Sequence, residues 1–162
     1  VQDIEAPKTA VWNQILDLDH YVGKVSKVKE CKNYLLKMKP DGSFKVKTKM
    51  VIGVMPGYKY EYYCDHTYHP DQDSVVWSLD YDKVSDFDDV AGHWHVEDHP
   101  KKPGCSRVFY ACDIKFKAAL PKPVLNFLTK SALKSATSWV KRESEASPDS
   151  PIPSEFQFEY AK

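Results

Sequence analysis

Residues 44–66, with the sequence FKVKTKMVIGVMPGYKYEYYCDH, contain two segments of alternating polarity on either side of a Met-Pro-Gly turn. Before the turn, every second residue is apolar or Thr, and the residues between them are Lys45, Lys47 and Lys49. After the turn, a row that begins with Tyr58 and ends at His66 alternates with charged residues. A period of two is typical of strands with one buried and one wet face. The stretch therefore predicts an antiparallel hairpin.

The same period continues on both sides of this hairpin, from about Val28 to Lys117. One strand is predicted before it, at Val28–Met38. Three are predicted after it, at 75–81, 92–98 and 105–116. Proline- and glycine-containing turns separate the segments, as in Pro40-Asp41-Gly42-Ser43. Together they predict a meander of about six antiparallel strands, and residues 1–5 add a short first strand.

Helices are predicted on both sides of the meander. Ala6-Pro7 opens a first helix with an apolar stripe, and 18–23 ends it with a possible short second helix. Pro121 and Pro123 start a long helix that ends near Arg142 or Ala146. Its apolar half contains Val124, Leu125, Leu128, Ala132, Leu133, Ala136, Trp139 and Val140, whereas Lys130, Lys134 and Lys141 lie on the opposite half. Residues 1–146 are expected to form one domain, and 147–162 a Pro/Ser-rich linker and C-terminal tail.

Composition limits the class of protein. The chain has 162 residues, 42% of them hydrophobic and 28% charged, which excludes a collagen, a disordered tail and a membrane bundle. Its 23 basic and 23 acidic residues cancel, and without a basic surplus we expect no nucleic-acid partner. The charges are nevertheless segregated: residues 23–50 hold nine lysines and two acids, and 61–98 hold eleven acids and one lysine. Either the surface is dipolar, or neighbouring strands interleave the two blocks and neutralise them.

Cysteine usage indicates a reducing compartment. Cys31, Cys64, Cys105 and Cys112 form no CxxC pair, so we expect reduced thiols and an intracellular location. Separately, we expect the protein to be a monomer. The chain opens at Val1 without a charged leader, and we interpret Val1 as a processing boundary. The location is then the cytoplasm, or a mitochondrion or plastid if a targeting segment precedes Val1.

Several short motifs follow one another in an order that resembles the START-like, or SRPBCC, superfamily, whose plan is similar to the birch-pollen allergen fold. They are Ile4-Glu5-Ala6-Pro7 with Val11-Trp12, Asp17-Leu18-Asp19-His20-Tyr21, Gly92-His93-Trp94, Arg107-Val108-Phe109-Tyr110 and the Pro-led last helix. The resemblance covers residues 1–146. It is nearest to the polyketide cyclase/dehydrase and lipid-transport branch, which includes the coenzyme Q-binding proteins.

This resemblance implies an α+β helix-grip fold: a curved antiparallel sheet of six or seven strands around a long C-terminal helix, with one or two short helices after the first strand. It also implies a cavity between sheet and helix that holds a hydrophobic small molecule, such as a lipid, an isoprenoid quinone or a pigment. The expected ligand-binding residues are Tyr60, Tyr62, Trp77, Leu79, Tyr81, Trp94, Tyr110, Phe116, Leu125, Leu128, Ala132, Ala136 and Trp139. Without the family's cavity, the same residues would form a solid aromatic core.

Three functions stay open. The first is a carrier that binds its ligand without changing it and visits an anionic membrane through Lys115, Lys117, Lys122 and the lysines of the last helix. The second is a cyclase- or dehydratase-type enzyme, with His66 and a Tyr as acid and base. The third is a ligand-free interaction or co-chaperone module. The family has no common catalytic motif, and we expect no cofactor.

One cluster offers metal-binding side chains on a single strand. His93, His95, Glu97 and His99 alternate with Trp94 and Val96, and alternate strand residues share a face. Because Trp94 and Val96 are the better inward residues, we expect the histidines to face water and no metal to bind. The tip Met55-Pro56-Gly57-Tyr58 is either an ordinary turn or an apolar contact for a membrane.

Overall fold

A computed structural model describes residues 1–117, 120–127, 133–151 and 153. Within these ranges seven strands form one antiparallel sheet in the order β1-β7-β6-β5-β4-β3-β2. The strands are β1 Gln2–Ile4, β2 Val28–Met38, β3 Phe44–Met55, β4 Tyr58–His69, β5 Ser74–Leu79, β6 Phe87–Asp98 and β7 Ser106–Phe116. The predicted meander is confirmed, and β1 extends it by pairing with β7.

Helices lie before and after the meander. Helix α1, Lys8–Leu16, begins directly after Pro7 and is followed by a 3₁₀ turn at Leu18–His20. After the last strand come α2, Lys122–Phe127, and α3, Leu133–Ala146. The described parts of the predicted last helix therefore span its expected start and end. Leu128, Lys130 and Ala132 lie outside the described residues.

Strand β6 begins five residues before the predicted start at Gly92. A register shift between Phe87 and Asp89 explains the error. Because of this shift, the buried side chains of Phe87 and Val90 are three positions apart instead of two. The bulge thus removes the alternation on which the prediction depended.

The main hydrophobic core lies between the concave face of the sheet and the helices. Val11 and Trp12 of α1 and Trp139 and Val140 of α3 are buried there against the sheet residues Val96 and Val108. Trp12 makes an edge contact with Tyr68 of β4, with ring centroids 5.2 Å apart. A second, smaller cluster forms around Leu79, Phe87 and Val90.

The opposite, convex face carries the alternating lysines of β3. Lys47 Nζ lies 2.7 Å from Asp80 Oδ1, and Lys45 Nζ lies 3.0 Å from Asp65 Oδ2. Lys49 Nζ lies 3.2 Å from carboxylate oxygens on both neighbouring strands. In this part of the sheet, the basic and acidic blocks of the sequence therefore interleave and neutralise each other.

The short first strand is held by polar contacts at the end of β7. Asp3 accepts hydrogen bonds from Arg107 at 2.7 and 3.2 Å and contacts His99 Nε2 at 3.1 Å. Hydrogen bonding to Arg107 and His99 lowers the pKa of Asp3 to about 2, although desolvation opposes this. Lys141, predicted on the half of the last helix opposite its apolar stripe, has a side chain that is 36% exposed. Its ammonium donates to the Asp3 carbonyl at 2.9 Å and to Glu145 at 2.5 Å.

Among the described residues, no helix is long and apolar enough to cross a bilayer.

Candidate functional site: an aromatic cavity under the sheet

A cavity of about 220 Å³ lies between the concave face of the sheet and the helices. Its floor comes from inward-facing residues of β3 to β7. Most of these hold alternating positions that the sequence predicts, and Phe87 and Val90 at the bulge of β6 are exceptions. Its roof comes from the end of α1, from the segment between Tyr21 and Val28, and from Ser135, Ala136 and Trp139 of α3. Most of the surface is apolar, so the site suits an apolar molecule.

Aromatic rings form opposite walls of this cavity. On the sheet, Trp77 and Tyr110 are stacked with ring centroids 5.7 Å apart and planes at 24°. Trp94 packs against the same Tyr110 at 4.4 Å. On the helix side, Trp139 makes an edge contact with Tyr21 at 5.0 Å. The contacts within each wall fix the ring orientations, so the walls are pre-formed.

Gly92 determines where the Trp77 indole can lie. The two residues are register partners on β6 and β5. A Cβ atom built on Gly92 would lie 2.3 Å from Trp77 Cζ2 and 2.5 Å from the carbonyl oxygen of Ala111. Real Cβ atoms do not approach other atoms this closely. Because Gly92 has no side chain, the Trp77 indole can pack directly against the backbone of β6.

His66 is the polar residue of the cavity with an unpaired atom. It is 9% exposed, and its Nδ1 has no hydrogen-bond partner among the described residues. Burial lowers its pKa to about 4, and the smaller effects of a Val46 backbone hydrogen bond and of the Asp65 carboxylate oppose this. Because this pKa lies well below 7, the imidazole is neutral at neutral pH.

The phenols and thiols of the cavity are also uncharged. Tyr62 donates its hydroxyl to Met50 Sδ at 2.8 Å, and Tyr21 donates to the Ile15 carbonyl at 2.6 Å. Burial raises the pKa of Tyr62 well above its usual range, and it also raises the pKa of Cys64 and Cys112. These groups keep their protons, so they present an apolar or hydrogen-bonding surface to a ligand.

The structure places six of the predicted ligand-binding residues on the cavity wall: Tyr62, Trp77, Trp94, Tyr110, Ala136 and Trp139. Three others, Tyr60, Leu79 and Phe116, lie in the neighbouring cluster around Phe87 and do not line the cavity. Tyr60 stacks on Phe87 with centroids 5.2 Å apart. At this end of the sheet, the aromatic side chains pack against one another and do not border the cavity.

Two predicted residues face solvent instead. Tyr81 is 71% exposed and donates its hydroxyl to Asp89 at 2.8 Å. The prediction was wrong because β5 ends at Leu79, so the alternation no longer applies two residues later. Leu125 of α2 is 44% exposed and does not line the cavity. The remaining two, Leu128 and Ala132, lie outside the described residues.

Several wall residues were missed by the sequence analysis. Tyr68 continues the row of β4 two positions beyond His66, so the same alternation could have found it. Phe44, Val46 and Met50 were predicted inward but not assigned to a ligand. Val25, Ser26 and Lys27 come from an irregular segment, and a segment without periodicity gives no signal for its direction.

The histidine cluster of β6 does not assemble a metal site. Trp94 and Val96 are buried as predicted, and His93 is exposed. His99 was expected to face water, but its side chain is only 6% exposed because it packs beside Asp3 and Arg107. Among the described residues, no group of three His, Cys, Asp or Glu side chains could hold a metal ion.

Comparison with solved structures identifies the fold. The structure is similar to a START superfamily protein from Mycobacterium smegmatis, with a TM-score of 0.67 and 16% identity over 90% of this chain and 94% of that chain. It is similar to the Zhui aromatase/cyclase from Streptomyces sp. R1128, with a TM-score of 0.69 and 12% identity over 89% and 90% of the two chains. A third similar structure is Ara h 8.0201, with a TM-score of 0.58 and 10% identity over 88% and 93%.

No family model and no curated protein matches the sequence. The structural similarity nevertheless confirms the START-like helix-grip fold that the order of motifs predicted. Since one fold can serve many activities, the function has to be argued from the cavity itself.

Proposed function

We propose that this protein binds a hydrophobic small molecule in the cavity under the sheet and carries it unchanged. The observation that supports this most directly is the largely apolar space of about 220 Å³ between two aromatic walls. An apolar cavity of about 150 Å³ in another protein stays dry and binds benzene. The larger space here is sufficient for a molecule of roughly two or three rings.

The size of the cavity bears on the proposed ligand classes. Burying apolar surface contributes about 25 cal/mol per Å², so a ligand that fills the space gains affinity from its walls alone. An isoprenoid quinone could place its ring there, but most of a long chain would have to leave the cavity. Compact molecules, pigment-like or quinone-like in their ring part, therefore fit this proposal better than long acyl chains.

An enzyme is the second candidate, because His66 and phenols meet in the cavity and one similar structure is an aromatase/cyclase. Acid–base catalysis works best when the pKa of the catalytic group lies near the working pH. Burial moves the pKa of His66 down to about 4 and that of Tyr62 well up, both away from neutrality. The electrostatics of the site thus favour binding over proton transfer.

The third candidate, a ligand-free module, calls for a filled core, which a cavity of this size does not match.

Filling the cavity tests the proposed function. Ala136 lies on the cavity wall in α3, and Ser138 is exposed on the same helix. Ala136→Trp should reduce binding of the fluorescent apolar probe N-phenyl-1-naphthylamine at least about tenfold, with little change in Tm, because the indole enters empty space. Ser138→Trp is the matched control and should bind the probe normally. Equal binding by both variants, or a collapse of the Tm of Ala136→Trp, would contradict the proposal.

The fate of the ligand separates the carrier from the enzyme. Native mass spectrometry of the purified protein, followed by organic extraction, should identify one non-covalently bound ligand. When this ligand is incubated with the protein again and re-extracted, its mass should be unchanged. Conversion of the extracted molecule, lost in His66→Ala while binding is retained, would instead favour the enzyme.

We also propose that the carrier exchanges its ligand at an anionic membrane. Lys117 and Lys122 flank the segment between β7 and α2 and are exposed, and Lys115 has a side chain that is 75% exposed. Lys141 is not included in this membrane-binding set, because its ammonium already donates hydrogen bonds to Asp3 and Glu145.

A further inference from the structure

We propose that the molecule held in this cavity is a planar ring compound that bears one uncharged hydroxyl group. The ring lies against the wall formed by Trp77 and Tyr110, and the hydroxyl pairs with His66 Nδ1. This inference rests on the proposed function and narrows it to one class of ligand.

The polar part of the inference starts from the unpaired nitrogen. Buried polar atoms are almost always hydrogen-bonded, and an orphan calls for an explanation. His66 Nδ1 is such an orphan, in a side chain that lines the cavity. In a neutral imidazole, one ring nitrogen donates and the other accepts, depending on the tautomer. A hydroxyl group can do both, so it satisfies Nδ1 in either tautomer, whereas a ketone satisfies only one.

The electrostatics around His66 disfavour a charged group on the ligand. The low pKa of His66 shows that its surroundings do not stabilise a positive imidazolium. A carboxylate or phosphate placed beside it would meet a neutral ring and the uncharged Tyr62, Cys64 and Cys112 groups. The cationic residue of the cavity lining, Lys27, comes from the segment between Tyr21 and Val28 on the helix side and not from the strands around His66. A buried anion without a positive partner is strongly disfavoured. The hydrogen-bonding group of the ligand is therefore neutral.

The shape part of the inference comes from the register of the strands. His66 and Trp77 are partners on β4 and β5, and their ring centroids lie 6.1 Å apart. Trp77 in turn stacks on Tyr110. His66 thus lies beside the aromatic wall, so a flat molecule against that wall can bring a ring substituent to the imidazole.

Aromatic walls select for flat molecules. A ring that stacks on Trp77 gains offset-stacking or edge contacts beyond the area that it buries, and a methylene chain gains only the area. Gly92 supports this wall, because the Trp77 indole lies in the space that any side chain at residue 92 would occupy. Trp139 and Tyr21 close the cavity from the helix side.

Two probes of nearly the same shape test the inference. 2-Naphthol carries the hydroxyl, and 2-methylnaphthalene replaces it with a methyl group. We expect the intact protein to bind 2-naphthol about 5- to 10-fold more tightly, measured by isothermal titration calorimetry at pH 7, because the methyl group leaves Nδ1 unpaired. We expect no binding of 2-naphthoate.

Variants assign the preference to His66. His66→Phe keeps an aromatic ring but no hydrogen-bonding atom, and should bind 2-methylnaphthalene at least as tightly as 2-naphthol. His66→Asn keeps a small donor and acceptor and should retain part of the preference. His93→Phe is the matched control, since His93 is exposed on the neighbouring β6, and it should behave as the unaltered protein.

The outcomes separate this inference from the proposed function. If the unaltered protein binds 2-methylnaphthalene as tightly as 2-naphthol, the hydroxyl inference is wrong and the apolar-ligand function stands. If it binds neither probe, both are wrong. This comparison needs only the unaltered protein, so it decides the matter even if His66→Phe does not fold.

Discussion

The indole of Trp77 lies so close to the backbone of Gly92 that a Cβ atom on residue 92 would be 2.3 Å from Trp77 Cζ2. The carbonyl oxygen of Ala111 closes the same space from β7 at 2.5 Å. Neither neighbour can withdraw at low cost, because one is a ring in a stacked wall and the other is backbone of a paired strand. Gly92 is therefore required by the packing of the cavity wall.

Gly92→Ala should destabilise the protein by about 1–3 kcal/mol, the usual cost of overpacking, and should push the indole into the cavity. Urea unfolding gives the stability, and binding of N-phenyl-1-naphthylamine reports the lost space. Gly53→Ala is the control, because a Cβ there meets only the flexible Lys29 side chain, with Cε at 3.0 Å. Equal effects of the two substitutions would contradict the role of Gly92.

His66 should make stability depend on pH below neutrality. Its pKa is about 4 in the folded protein and 6.5 in the unfolded chain, so between these values the unfolded chain binds more protons. Stability is therefore complete above about pH 6.5 and falls as the pH drops towards 4, by up to about 3 kcal/mol. His66→Phe should remove this part of the slope in urea unfolding at pH 7, 6 and 5. An unchanged slope would show that the imidazole is not buried in its neutral form.

The contacts of Asp80 on the convex face should contribute to the free energy of unfolding, although Asp80 lies next to a loop. Its carboxylate is 4% exposed and accepts hydrogen bonds from Lys47 and from the Tyr34 hydroxyl, both at 2.7 Å. Asp80→Ala should cost about 1–3 kcal/mol, because it removes the acceptor of the Tyr34 hydroxyl and the shortest ion pair of Lys47. Lys47 keeps only its longer contacts with Asp65 and Asp82, at 3.9 and 3.8 Å. Asp82→Ala, with a side chain that is 91% exposed, should change the free energy of unfolding by less than about 0.5 kcal/mol. A difference of less than 0.5 kcal/mol between the two variants in thermal or urea unfolding would refute this.

Membrane exchange should depend on salt. A lysine near an anionic surface contributes about 1 kcal/mol, and the attraction fades beyond a Debye length. We expect sedimentation with phosphatidylserine-containing vesicles at low salt, release near physiological salt, and weaker binding of the Lys117→Glu/Lys122→Glu variant. Lys101→Glu/Lys102→Glu makes the same charge change at exposed residues of the β6–β7 turn and should bind as before. Equal losses in both variants would indicate attraction by overall charge alone.

The sheet was predictable because its inner and outer faces differ in chemistry. Residues 44–50 and 58–62 alternate clearly, and β3 and β4 contain these segments. The apolar residues 50–55 interrupt the alternation, and the register of β3 against β4 shifts there, between Gly53 and Met55. The prediction failed where local geometry departs from a period of two, as at the bulge after Phe87, or where a strand stops, as before Tyr81. Neither a bulge nor a strand end changes residue composition enough to be recognised in advance.

The cavity was less predictable than the sheet. Alternation assigned Tyr62, Trp77 and Tyr110 to the concave face, but it could not distinguish them from Tyr60 and Phe116, which share the same rows. The difference depends on how far the helices stand from each part of the sheet, and this distance results from the packing of the whole core. The lack of a hydrogen-bond partner for His66 Nδ1 was also not predictable, because it depends on both the strand register and the burial of the side chain.

The raised pKa values of the cavity thiols have a chemical consequence for whatever binds beside them. Only a thiolate attacks carbon electrophiles at a useful rate, and burial keeps Cys64 and Cys112 protonated. A quinone or an unsaturated ketone held in this cavity would lie next to two sulfur atoms without being attacked by them. Under the proposed carrier function, such a molecule would be protected from these two thiols while bound and would be released chemically intact.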